Sequence, residues 1–209
     1  MSVMPDIHME SPDTGKETDG MKVRGSLEMA ETTQERYTIE DIFALPDGER
    51  AELIDGKMYR MESPGRMHQK LLGELFYRIS SYIREHKGDC EVYPAPFAVF
   101  INRDRFNYVE PDITVVCNQE KLDDKGCQGA PDWVIEIVSP GSRKMDCSIK
   151  LFKYRTAGVR EYWIVDPMKK TVVIHNFETD DYAEYTFADS VPVGIYDNFV
   201  IDFTQVDIS

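Results

Sequence analysis

Residues 130–167 read APDWVIEIVSPGSRKMDCSIKLFKYRTAGVREYWIVDP, and no other stretch limits the fold as tightly. Residues 132–138 form a β-branched and aromatic run, Ser139-Pro140-Gly141-Ser142 breaks it, residues 146–157 have helical character until Gly158, and residues 161–165 make a second strand. A run that apolar belongs inside a sheet covered on both faces, where an unpaired carboxylate is costly. Glu136 sits in its middle. Either a partner such as Lys150 neutralises it, or it points from the strand's end into a cleft where a cation meets it. Asp146, Lys150 and Tyr154 are spaced i, i+4, i+8, so they share one helix face.

The 209 residues suffice for one domain with a sizeable core and extensions. Residues 1–35 are polar, acidic and without apolar periodicity, and are expected to be a disordered tail. Residues 36–209 are expected to form a single domain, with residues 170–209 as an antiparallel C-terminal extension. No apolar run approaches the ~20 residues of a membrane helix, and the N-terminus lacks a signal peptide's apolar centre. A cytoplasmic protein is the expectation. Cys90, Cys117, Cys127 and Cys147 show no CxxC spacing and no histidine set, which argues against zinc and for reduced thiols.

A net charge of −14 argues against a nucleic-acid ligand until its distribution is considered. Residues 1–35 and 171–209 together hold 16 acids and 3 bases of the chain's 38 and 24, so residues 36–170 carry 22 and 21. Arg143, Lys144, Lys150, Lys153, Arg155 and Arg160 cluster there and offer a local basic surface.

Thr38 is placed to cap a short amphipathic helix, and Asp55-Gly56 to turn a hairpin over residues 51–61. A long helix opens near His68 and closes at Lys87-Gly88. Strands are expected at 91–101 and 109–117, a connecting loop at 121–129, and short strands at 171–177, 182–187 and 199–203. In Val109-Glu110-Pro111-Asp112-Ile113, proline costs no ladder donor at a strand's start and the aspartate opens the apolar run. Asp112 and Glu136 then come from separate strands. Asp132 is a rival second Pro-Asp, but it lies about 13 Å from Glu136 along the same strand, too far to share one ion.

With ELIDG at 52–56, His68, PDITVV at 111–116, WVIEIVSPGS at 133–142, Asp146, Lys150, Tyr154 and GVREYWIVDP at 158–167, the chain resembles the PD-(D/E)xK nuclease superfamily, and within it the Uma2 family of restriction-endonuclease-like proteins. The resemblance spans roughly residues 37–176. It implies an α/β fold, a restriction-endonuclease-like mixed central sheet flanked by helices, with additional antiparallel C-terminal strands. It further implies a Mg-dependent (or Mn-dependent) endonuclease acting on DNA. Asp112 and Glu136 would be the metal ligands, Lys150 would assist the attacking water, Glu52 would be a supporting acid, and His68 and Tyr154 would line the site. Hard oxygen ligands of this kind suit magnesium, which acidifies a water and offsets charge on the phosphate. The motif's usual lysine, two residues after the acid, is Val138 here, and by the resemblance Lys150 would be its substitute from the helix. The alternative is a catalytically inactive nuclease-fold module for nucleic-acid binding or protein interaction. A homodimer fits an enzyme that cuts both strands of a duplex, and the C-terminal strands would offer an edge to a twin.

Overall fold

The computed structural model describes residues 36–207; the tail expected over residues 1–35 lies outside them. Helix α1 (Ile39–Phe43) starts where the Asp41 carboxylate accepts hydrogen bonds from the Thr38 N–H (2.7 Å) and hydroxyl (3.0 Å). Strands β1 (Ala51–Ile54) and β2 (Lys57–Arg60) pair across the Asp55-Gly56 turn, as their alternation demands. Helix α2 (Arg66–Glu85) then buries Leu71, Leu72, Leu75, Ile79 and Ile83 along one stripe.

The run expected as one strand over residues 91–101 is two, β3 (Glu91–Pro94) and β4 (Val99–Phe100), because Pro96 has no N–H to donate to a ladder. Strand β5 (Ile113–Val116) begins just after Pro111-Asp112. The expected loop at 121–129 contains a small hairpin, β6 (Leu122–Asp123) and β7 (Gly126–Gln128), which joins β4 in a three-stranded sheet. Gly126 permits it: at φ +138°, an added Cβ would lie 2.2 Å from the Ala98 carbonyl oxygen.

Strand β8 (Trp133–Ile137) leads through the Ser-Pro-Gly-Ser loop into a π-helical segment, Met145–Lys150, that continues as α3 (Leu151–Ala157). The single helix expected over 146–157 therefore carries a wide first turn. Gly158, at φ +93°, ends it in the left-handed conformation. Strand β9 (Glu161–Asp166) returns parallel to β8, with Glu136 opposite Ile164. Strands β10 (Thr171–Asn176) and β11 (Asp181–Thr186) extend the sheet antiparallel, and β12 (Ser190–Pro192), which the residues did not announce, pairs with β13 (Val200–Asp202).

The six-stranded mixed sheet runs β11-β10-β9-β8-β5-β3. Alternation along β8 divides the core. Trp133, Ile135 and Ile137 pack with α2 on one face, while Val134 and Val138 pack with Tyr154 of α3 and Tyr162 on the other. Glu136 shares the second face, so its carboxylate is aimed at α3. Burial of this kind is worth ~25 cal/mol per Å² of apolar surface and leaves little room for an unpaired charge. Cys90 and Cys117 form a disulfide, a correction to the expectation of four reduced thiols, whereas Cys127 and Cys147 are free. Among the described residues, no helix is long and apolar enough to cross a membrane.

Candidate active site

The carboxylate of Glu136 meets α3 as its strand position requires. Lys150 Nζ donates to Glu136 Oε1 at 2.8 Å, and the Tyr154 hydroxyl donates to the same oxygen at 2.7 Å. The buried ion pair, one of the two readings open for Glu136, is present. The ammonium is shared: Glu52 Oε2 of β1 lies 2.8 Å from it and Asp146 Oδ1 3.8 Å. Glu52 uses its other oxygen to accept the Glu110 N–H at 3.0 Å. All four charged groups are at most 4% exposed.

Three carboxylates around one ammonium leave an excess of negative charge in a poorly solvated place. Burial drives the Glu136 carboxyl well above its ordinary range; Lys150 opposes that, while Asp146, Asp112 and Glu52 add to it. Asp146 is raised for the same first reason. Lys150 is desolvated too, yet Glu136, Glu52 and Asp146 together hold its pKa well above the usual lysine value. The cluster has capacity for a further positive charge, whether a proton or a metal cation.

Asp112 forms the other half of the site. Its Oδ2 accepts the Ile137 N–H at 2.7 Å and stands 3.1 Å from His68 Nε2. The antiparallel pairing of β5 with β8 sets Ile113 opposite Ile135, which brings Asp112 to the end of β8 where Glu136 lies. His68, in the first turn of α2, shares the buried stripe of Leu71, Leu72 and Leu75 and so faces the sheet. Burial lowers its pKa, but the hydrogen bond and charge of Asp112 outweigh this and the imidazole is raised overall. The side chains of His68 and Asp112 are 15% and 17% exposed against about 6% for Glu136 and Glu52, so solvent reaches the site from their side.

Asp112 Oδ1 and Glu136 Oε2 accept no hydrogen bond among the described residues. These two hard oxygens, one just ahead of β5 and one on β8, are of the type that a magnesium-type cation takes, with water completing its shell. Among the described residues no group of three or more His, Cys, Asp or Glu side chains is arranged to hold a metal ion.

The expected site residues fall in two sets, Glu52, Glu136, Lys150 and Tyr154 in one and His68 with Asp112 in the other, close enough for the charge of Asp112 to act on Glu136. Asp146 was recognisable only as a face-mate of Lys150; its burial beside the ammonium was not. Glu110, bonded to Arg50 and Tyr108, was not singled out either. Asp132 is engaged elsewhere, accepting the Cys117 N–H at 2.7 Å and pairing with Arg160 at 3.2 Å. The expected basic surface is largely neutralised: Arg143 pairs with Asp166, Lys153 with Asp55, Arg155 with Asp180, and Arg160 with Asp132 and Glu178.

Residues 39–200 match the model of the Uma2 family, described as "Putative restriction endonuclease". No curated protein matches the chain. Among solved structures, it is similar to one described as a "putative nuclease belonging to DUF820" from Anabaena variabilis, with a TM-score of 0.67 and 19% identity over 81% of this chain and 96% of that one. At that identity the likeness establishes the fold, a mixed sheet flanked by helices with added antiparallel strands.

Proposed function

Because the chain belongs to the Uma2 family of restriction-endonuclease-like proteins, we propose that it is a metal-dependent DNA endonuclease, with Asp112 and Glu136 as ligands of a magnesium or manganese ion. The observation that carries this reading is the pair of undonated oxygens, Asp112 Oδ1 and Glu136 Oε2, beside a cluster with surplus negative charge. When bound, such a cation acidifies a water and offsets charge on the attacked phosphate.

The chain's own residues prepare that chemistry. Ile137 N–H fixes Asp112 through Oδ2. Lys150 and Tyr154 hold Glu136 through Oε1, so its free oxygen has a defined direction. Lys150 also lowers the repulsion among Glu136, Glu52 and Asp146, and from that position it orients the attacking water and stabilises charge near it. Glu52 supports the site by anchoring Lys150 and, through the Glu110 N–H, the segment that leads to Asp112. His68 and Tyr154 line it.

The test is cleavage of duplex, nicked and branched DNA by the full chain in magnesium or manganese. Cut product that disappears with chelator is expected; a panel left intact under both metals overturns the enzyme reading. A second reading, a nuclease-fold module without activity, is favoured by Val138 in the motif's usual lysine position and by the extent to which the basic cluster is paired. Metal binding without cleavage would favour that module.

A further inference from the structure

We infer that His68 is a positioning residue for cation binding: it donates from Nε2 to Asp112 Oδ2 and thereby leaves Oδ1 as the oxygen Asp112 presents to the metal. This rests on the reading of Asp112 as a ligand. A carboxylate only accepts, so the proton of that 3.1 Å hydrogen bond belongs to the imidazole. The same Oδ2 takes the Ile137 N–H at 2.7 Å, so one oxygen receives both donors and the other none. Two donors on one oxygen fix the carboxylate's rotation about its Cβ–Cγ bond, which a single donor would leave free to swing.

The ring is committed to this contact. Nδ1 is buried and has no hydrogen-bond partner among the described residues, so the ring's side-chain hydrogen bond is the one from Nε2 to Asp112. A buried polar atom left unsatisfied is a cost that an apolar side chain at the same place would avoid. Retaining histidine there makes sense if the work is done at Nε2. Its backbone is rigid, because Leu71 and Leu75, fully buried on the same stripe of α2, hold that turn against the sheet. The residue therefore supplies from a helix what Ile137 supplies from a strand.

The experiment is manganese titration of the full-length chain by calorimetry, for wild type, His68→Ala and His68→Gln, with the thermal midpoint of each metal-free protein measured alongside. Loss of a donor to a metal-bound carboxylate weakens metal affinity by about 10–100-fold, and that loss is expected for His68→Ala. His68→Gln, which carries an N–H at a similar distance from the backbone, is expected to recover most of the affinity. His68→Ala binding as tightly as wild type overturns the inference, as does a glutamine variant as weak as alanine. A wild-type chain that binds no manganese overturns the reading of Asp112 as a ligand, a separate outcome.

Discussion

Removing either oxygen donor should silence the chemistry without unfolding the chain. Asp112→Ala and Glu136→Ala are each expected to abolish magnesium-dependent cleavage of DNA, checked on proteins whose far-ultraviolet circular dichroism matches wild type. Lys150 is a different case, because its ammonium lies buried among three carboxylates. Taking away one partner of a buried pair costs about 3–5 kcal/mol, so Lys150→Met should lower the urea unfolding free energy by that order as well as abolish activity. Adding Glu136→Gln should return part of it, since one of the three orphaned carboxylates is then neutral. The raised carboxyl of Glu136 also fixes a sign. A carboxyl held above its unfolded value contributes stability that is present at pH below about 4.5 and is lost as pH rises through the folded value. The stability of wild type relative to Glu136→Gln, without metal, should therefore fall from pH 5 to pH 8; a difference independent of pH would contradict the burial argument. The pairing of Glu136 with Lys150 was legible in the sequence because a carboxylate inside an apolar run needs a positive partner, whereas Asp112 was singled out by the family resemblance and not by its Pro-Asp position alone. The partner of Asp112 was not legible, because His68 lies 44 residues away and only the docking of α2 brings the two together.

At the level of elements, local chemistry announced the hairpin turn at Asp55-Gly56, the stripe of α2 and the stop at Gly158, each of which depends on a few neighbouring residues. What it concealed depended on distant pairing. The segment 122–128 is a hairpin because β4 lies alongside it, and nothing in its own seven residues requires that. The disulfide follows the same logic. Glu91 stands opposite Val116 in the β3–β5 ladder, so Cys90 and Cys117 meet one step beyond, although 27 residues separate them in the chain. Thiol titration of the denatured, unreduced protein should find two reactive thiols, Cys127 and Cys147, and four would contradict the pairing. Cys117→Ser should lower stability by about 2–4 kcal/mol in oxidising buffer and have little effect in reductant.

Over the whole molecule, charge sets how the protein can meet its substrate. The net charge of −14 and the pairing of most of the basic cluster leave few cations for phosphates. Binding of an inactive Asp112→Ala chain to duplex DNA, followed by fluorescence anisotropy over a series of salt concentrations, should give a shallow dependence of log affinity on log salt. A slope as steep as about −6, the mark of many neutralised phosphates, would reveal a basic face that the ion pairs do not allow. Under the proposed function, recognition would fall mainly to the cation and to the solvent-facing side of the Asp112–His68 pair. The most direct check of this account is a crystal of the full chain soaked in manganese and measured for anomalous scattering. The account predicts one strong peak within coordination reach, about 2.0–2.6 Å, of both Asp112 Oδ1 and Glu136 Oε2; a peak touching neither oxygen, or no peak in the cluster at saturating manganese, would contradict it.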